Sequence, residues 1–286
     1  MTDTYILTLT AQDRVGLVAA VTGFLANLDG FILDSQQYAD LARDRFFMRV
    51  EFKGAGEKFP AHLSELKSGF SAVAEQFALR WQLVSSAEKP NIVIAVSKGS
   101  HCLNDLLHRW KTGSLPVNIA AVVGNHENLR PLTEWHDLPF HHLPVSDDNR
   151  AEQEQAILDL MDQNSADYLV LARYMQILSD RMSAELAGRC INIHHSFLPG
   201  FKGAKPYHRA HERGVKLIGA TAHFVSEDLD EGPIIEQAVE RVDHRASVED
   251  MIRIGRDIEA QVLAKAVKWA GERRILLNGH RTVVFR

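Results

Sequence analysis

Asn91-Ile92-Val93-Ile94-Ala95-Val96-Ser97 is a short apolar run without alternation, the pattern of a strand covered on both faces. Working outward, Leu103, Leu106, Leu107 and Trp110 mark a helix, and residues 117–123 form a second apolar run. Residues 140–145 read as a third strand after a proline-containing irregular stretch. Ala156, Ile157, Leu160 and Met161 mark another helix ahead of Tyr168-Leu169-Val170-Leu171, and residues 190–193 give one more strand after a short helical stretch. Strands alternating with helices of this length predict a doubly wound, mostly parallel α/β sheet with right-handed crossovers. Such sheets bind ligands at the carboxyl ends of their strands. Further on, Ser247 and Asp250 form a capping box for a long helix carrying Ile252, Ile254, Ile258, Val262 and Leu263. Asn278-Gly279 then reads as a hairpin turn.

The segment before this sheet has a different pattern. Residues 4–10 alternate as a half-buried strand does. Leu17, Val18, Val21, Phe24, Leu25 and Leu28 share one helix face, which Asp29-Gly30 ends where a positive φ is needed. Residues 31–37 are extended. Phe46, Met48, Val50 and Phe52 alternate with Phe47, Arg49 and Glu51, a strand whose outer face is unusually apolar. Leu63, Leu66, Phe70, Val73 and Phe77 mark a second helix, and residues 80–84 a closing strand. The order βαββαβ is that of a ferredoxin-like unit. With its loop Asp13-Arg14-Val15-Gly16-Leu17-Val18, this segment resembles an ACT domain, the small regulatory module of amino-acid metabolism. The resemblance implies an amino-acid effector held near Asp13, Arg14 and Gly16, where helix N-terminal N–H groups suit a carboxylate. Asp13 also fits the simpler role of a helix cap. The apolar outer strand face predicts pairing between chains and hence a homo-oligomer. The expected domains are 1–84, regulatory; 85–90, a small polar linker ending in proline; and 91–286, catalytic.

Composition agrees with a folded, cytoplasmic protein. The chain has 286 residues, 45% hydrophobic and 24% charged, room for two ordinary domains. A formal charge of −5 argues against nucleic acid or an anionic membrane as partner. No apolar stretch approaches the roughly 20 residues of a membrane span, and the first residues lack a secretory signal. Two cysteines, Cys102 and Cys190, make no disulfide framework. Of 14 histidines only His62 lies before residue 90, which points to chemistry in the second domain.

That chemistry centres on Asn192-Ile193-His194-His195-Ser196-Phe197-Leu198-Pro199. Asn192 and His194 project to one side of an extended chain, and the turns around Pro199-Gly200 and Gly203-Ala204-Lys205-Pro206 are fit to rim a pocket. Later, Gly219-Ala220-Thr221-Ala222-His223-Phe224-Val225 runs into the acidic loop Ser226-Glu227-Asp228-Leu229-Asp230-Glu231 and then Gly232-Pro233-Ile234-Ile235. An Asn-x-His strand end, a Ser-x-Leu-Pro loop, and an Asp in an acidic loop before Gly-x-Ile-Ile resemble the folate-dependent formyltransferases over residues 91–245. Other stretches are similar to the water-using deformylase branch of that family: His101-Cys102-Leu103, Arg109-Trp110, Phe140-His141-His142, residues 171–179, Lys205-Pro206-Tyr207-His208 and Thr282-Val283-Val284-Phe285. One departure is Gly124-Asn125-His126, where that branch has Ser-Asn-His; a glycine there is expected mainly to loosen the backbone.

The resemblance implies hydrolysis of 10-formyltetrahydrofolate to tetrahydrofolate and formate, feeding formate to one-carbon and purine metabolism, with folate and water as the only partners at the site and no cofactor or metal. Attack of water on a formamide-like carbon puts negative charge on its oxygen, and donors aimed there are each worth roughly 10²–10³ in rate. Asn192 supplies a neutral N–H and His194 a stronger donor, held charged by a nearby carboxylate. Asp230 is that carboxylate and orients or deprotonates the water. By the same resemblance the pterin and formyl part lie against Met175, Gln176, Ile177 and Leu178, with Val225, Glu227 and Asp228 closing the other side. Met175 and Leu178 also fit a hydrophobic core.

Other readings compete. His208 and His211, at i and i+3, are zinc-like, but no His-Glu-x-x-His or Cys-x-x-Cys accompanies them. His223 fits a hydrogen-bonded core role as well as catalysis. Cys102 reads as a small buried residue. Ser196, His194 and Asp230 lack the Gly-x-Ser-x-Gly elbow of a serine hydrolase. A transferase passing the formyl group to an amine, and a non-enzymatic amino-acid sensor, remain the two alternative functions.

Overall fold

The structure is a computed structural model that describes residues 3–199 and 206–286. It divides into two compact units: residues 1–89 with 272–276 and 283–286, and residues 90–271 with 277–282. Parts of the C-terminal tail therefore cluster with the first unit, whereas the sequence placed 91–286 together.

The first unit runs β1 (Thr4–Gln12), α1 (Leu17–Asn27), β2 (Gly30–Asp40), β3 (Arg45–Gly54), α2 (Leu63–Phe77) and β4 (Arg80–Ser85). These strands form an antiparallel sheet in the order β2-β3-β1-β4, as the βαββαβ pattern predicts. Leu17, Val21 and Leu25 of α1 and Leu66 and Phe70 of α2 bury the helical stripes against Leu7, Leu9, Met48, Val50 and Phe52 of the sheet. The positive φ after α1 falls on Asp29 (55°), inside the expected Asp29-Gly30 pair, and Gly30 meets a space limit, since a Cβ there would stand 2.8 Å from the Leu25 carbonyl oxygen. One expectation changes: the outer face of β3 is not exposed. Phe47 packs on Leu276, Val283 and Phe285, and the fully buried Arg49 pairs with Asp34 (3.3 Å) and Glu51 (3.1 Å) while donating to the Glu272 carbonyl (3.2 Å). The tail thus covers what the sequence left for another chain. Exposed apolar side chains on the edge strand β2 are Phe31, Leu33 and Tyr38.

The second unit contains β5 (Asn91–Val96), α3 (His101–Lys111), β6 (Asn118–Gly124), α4 (Arg130–Glu134), β7 (Phe140–His142), α5 (Arg150–Gln163), β8 (Tyr168–Leu171), α6 (Asp180–Glu185), β9 (Cys190–His194), α7 (Pro206–Arg213), β10 (Leu217–Phe224), β11 (Ile234–Arg241) and α8 (Val248–Gly271). Its seven-stranded sheet has the order β11-β10-β9-β8-β5-β6-β7. The five strands from β9 to β7 are parallel; β10 and β11 add antiparallel pairs at one edge. Continuous apolar runs are buried throughout, from Ile92 to Val96 in β5 and from Leu169 to Leu171 in β8, because helices cover both faces. The capping box forms as read: the Asp250 N–H donates to Ser247 Oγ (3.1 Å), and the Ser247 N–H donates back to Asp250 Oδ2 (3.2 Å). The last elements are β12 (Ile275–Asn278) and β13 (Arg281–Val284), the two arms of the Asn-Gly hairpin.

Gly124, the departure from the deformylase pattern, is a packing requirement and not a loosened joint. A Cβ there would lie 2.3 Å from Phe140 Cζ and 2.9 Å from the His126 carbonyl oxygen. Phe140 is buried, with the Arg130 guanidinium 4.9 Å over its ring. Gly124→Ser is expected to cost about 1–3 kcal/mol by overpacking, read as a lower Tm. Adding Phe140→Leu should recover part of it; a double variant melting with the single one contradicts the account.

Candidate active site

The site is built where β8 and β9 end and along the last residues of the antiparallel β10. In the register of the antiparallel pair β9–β10, His223 stands opposite Asn192 and Thr221 opposite His194. Paired residues project to the same face, so the period of two that aligns Asn192 with His194 also brings His223 beside them. Their bonding can be assigned. His223 Nδ1 lies 2.8 Å from the Phe224 carbonyl oxygen, an acceptor only, so Nδ1 carries the proton. His223 Nε2 then accepts from Asn192 Nδ2 at 3.2 Å, which orients the amide. Burial pushes the His223 pKa down, against the pull of the Phe224 carbonyl and Asp230, in keeping with a neutral ring.

The loop after β9 is held from below by Thr221, whose hydroxyl donates to the Ser196 carbonyl (2.9 Å) and accepts from the Leu198 N–H (3.1 Å) and from Gln237 Nε2 (3.0 Å). Asp230 sits on the acidic loop with φ at 60°, a left-handed conformation uncommon for a side chain with a Cβ. It places Oδ1 3.1 Å from His194 Nδ1 and 3.8 Å from His223 Nε2. Burial alone raises the Asp230 carboxyl; the His194 hydrogen bond and the fields of His194, His223 and His195 outweigh it and hold the pKa below the ordinary carboxylate range. His194 is 6% exposed, and its Nε2 is buried without a hydrogen-bond partner.

Asn192, His194, His223 and Asp230 line a cavity of about 890 Å³, near the upper end of the usual range for ligand sites. Met175, Gln176, Ile177, Leu178, Val225 and Glu227 line it too, together with Ser226 and Leu229. Met175 and Ile177 are more than half exposed, so the core reading fails for Met175; Leu178 both packs on the core and faces the cavity. Asp228 departs from expectation. It is not among the lining residues, and its carbonyl accepts from the Ser226 hydroxyl (2.9 Å) and the Glu231 N–H (3.3 Å), so it shapes the loop. The rim loop expected around Gly200 and Gly203-Ala204-Lys205 lies outside the described residues.

A second group was not read from the sequence as a unit. Glu259, buried in α8, accepts from Tyr207 Oη (2.8 Å), pairs with Arg173 Nε (3.2 Å) and lies 2.9 Å from His101 Nε2. Burial raises its carboxyl pKa, but His101 and Arg173 prevail and keep it low. The signal was an acid on the apolar face of a helix, beside Ile258 and one turn before Val262 and Leu263. Among the described residues, His101, Cys102 and Glu259 form the one group with metal-ligand spacing, and there the carboxylate is already shared with a guanidinium and a phenol. His208 and His211 are exposed on α7 and join no such group. Burial drives the thiol pKa of both cysteines up, so neither is an activated nucleophile.

In the first unit, Gly16 takes φ 95° and is the N-cap of α1, which has no side-chain cap, so Asp13 does not cap this helix. Arg14 donates to the Gln76 carbonyl (2.5 Å) and lies 4.4 Å over the Phe77 ring, at the end of α2.

The second unit is a formyl transferase domain: that family matches residues 90–267. A formyltetrahydrofolate deformylase of Corynebacterium sp. (strain P-1) is 50% identical over 282 residues, covering 99% of this chain and 98% of that protein. The chain belongs to the formyltetrahydrofolate deformylase family. The crystal structure of such an enzyme from Burkholderia mallei is similar with a TM-score of 0.94 and 50% identity, over 99% of this chain and 100% of that one. A glycinamide ribonucleotide transformylase from Symbiobacterium toebii is more distant, with a TM-score of 0.62 and 27% identity over 69% of this chain and 95% of that one. Among the described residues, no helix is long and apolar enough to cross a membrane.

Proposed function

We propose that the chain hydrolyses 10-formyltetrahydrofolate to tetrahydrofolate and formate, with Asn192, His194 and Asp230 carrying the reaction. The observation that carries this reading is the buried His194 Nε2 without a partner, beside the cavity, while Nδ1 is held by Asp230. A buried polar atom left unpaired costs about 1–3 kcal/mol, and a substrate oxygen would satisfy it. The formyl oxygen accepts from His194 Nε2–H and from the second Asn192 amide hydrogen. Asp230 takes a proton from water as its oxygen bonds the formyl carbon. Collapse breaks the carbon–nitrogen bond, the nitrogen takes the proton that Asp230 removed from water, returned through His194 or a water, and formate leaves. The folate lies along Met175–Leu178, with Val225 and Glu227 opposite. No metal or cofactor enters any step.

The hydrolytic reading is favoured over transfer to an amine because relatives at 42–50% identity are deformylases. Incubating the protein with 10-formyltetrahydrofolate and no amine should release formate and tetrahydrofolate in equal amounts. Dependence on an added amine would favour transfer, and no turnover the sensor reading.

For the first unit, we infer an ACT-type regulatory domain that takes an amino acid beside Asp13, Arg14 and Gly16. Support comes from its βαββαβ order and from the glycine turn that opens α1. The apolar edge at Phe31, Leu33 and Tyr38 supports a homo-oligomer. The chain works in the cytoplasm and supplies formate to one-carbon and purine metabolism. Titrating amino acids into the formate assay tests the effector: at least one should change the rate, and an Arg14→Ala variant should lose that response while keeping the basal rate. An unchanged rate with every amino acid contradicts regulation here.

A further inference from the structure

Among the histidines that line the cavity, His195 has a chemistry that the reaction above does not use. Arg173, with φ at 62° just beyond β8, is anchored by the buried Glu259 and donates Nη1–H to His195 Nδ1 at 2.7 Å. A guanidinium has no acceptor, so His195 Nδ1 offers the lone pair and Nε2 carries the proton. The His195 ring stacks on that of His194, with centroids 4.9 Å apart and planes inclined by 22°. Arg173, His195 and Glu259 all line the same cavity.

We infer that His195 is a water-holding residue: locked in one tautomer by Arg173 and Glu259, it donates Nε2–H to the oxygen of the water that Asp230 deprotonates. The inference rests on the hydrolytic reading of this site. With its lone pair engaged by Arg173, His195 cannot serve as a base. Burial first, then the charges of Arg173 and His194, push its pKa down to about 4 against the opposing pull of Glu259 and Asp230, so the ring is neutral at pH 7 and a poor acid for the leaving nitrogen. It is a fixed donor. Asn192 and His194 already fill the two lone pairs of the formyl oxygen, which leaves the attacking oxygen as the acceptor. A neutral donor also holds that water without adding a further cation beside Asp230, which would weaken it as a base.

The test compares three variants. His195→Ala should lower kcat about 10²-fold, the cost of a misplaced reactant, with KM and folate-analogue affinity unchanged. The amide nitrogen of His195→Gln reaches the position of Nε2 and should recover most of the rate. That of His195→Asn falls near Nδ1 and should not. A purely structural role predicts lowered melting temperatures and no preference for Gln over Asn. Wild-type kcat in His195→Ala, or equal rates in the Gln and Asn variants, overturns the inference. If those results appear while the wild type hydrolyses its substrate and Asp230→Asn does not, the hydrolytic reading stands and only the water-holding role falls. Absence of hydrolysis in the wild type would sink the reading beneath it.

Discussion

Asp230→Asn is expected to lower kcat by about 10³–10⁴, toward the upper limit for a positioned general base, while leaving the affinity for folate nearly intact. The asymmetry follows from geometry. Asp230 touches His194 at 3.1 Å, whereas Met175, Gln176, Ile177 and Leu178 line the cavity where the folate is proposed to bind. Asparagine keeps the volume and one acceptor oxygen, so the loop retains its shape, but it cannot accept a proton from water. The acid limb of the pH profile adds a second reading. The depressed carboxyl pKa keeps Asp230 ionised below the ordinary carboxylate range, so kcat/KM should not fall through loss of this base as pH drops from 7 to 5. The same sign applies to stability: a depressed carboxyl favours the folded state above its unfolded pKa, and this contribution is lost as pH falls through the folded value. Near-normal formate release by Asp230→Asn removes Asp230 from the mechanism.

His194→Ala should cost roughly 10²–10³ in kcat, about the loss for one oxyanion donor, with KM little changed. A donor used chiefly in the transition state lowers kcat and kcat/KM together. The variant also removes the hydrogen bond that holds Asp230 low, so its carboxyl pKa should rise and the acid limb move to higher pH. A variant that raises KM at constant kcat would make His194 a ground-state binding residue. Steady-state kinetics across pH separates these outcomes.

Much of this site was legible before any coordinates because its parts follow local rules. The period of two along β9 aligns Asn192 with His194, and a strand end followed by Ser-Phe-Leu-Pro marks a chain leaving a sheet. The helices of the first unit announce themselves through Leu17, Val21 and Leu25, and through Leu66 and Phe70, each at helical spacing. The rest depended on contacts across long stretches of chain. The register that sets His223 against Asn192 joins strands thirty-one residues apart, and alternation alone does not say which strands pair. That β10 and β11 are antiparallel was invisible for the same reason. Phe47 looked like an exposed face because the residues that cover it, Leu276, Val283 and Phe285, come from the far end of the sequence. Glu259 shows the opposite case: its acid on an apolar stripe was readable as an anomaly, but its partners Arg173, Tyr207 and His101 lie on three separate segments, the connection after β8, α7 and α3. Asp228 could not be told from Glu227 and Asp230 because three acids within four residues look alike, and only the turn decides which of them line the cavity.

In the proposed reaction solvent itself attacks the one-carbon unit. Turnover of 10-formyltetrahydrofolate in water enriched in oxygen-18, without amine, reads out that step. One heavy oxygen is expected in each formate released, with tetrahydrofolate formed in equal amount. Formate without the label, or no formate until an amine is supplied, would contradict it.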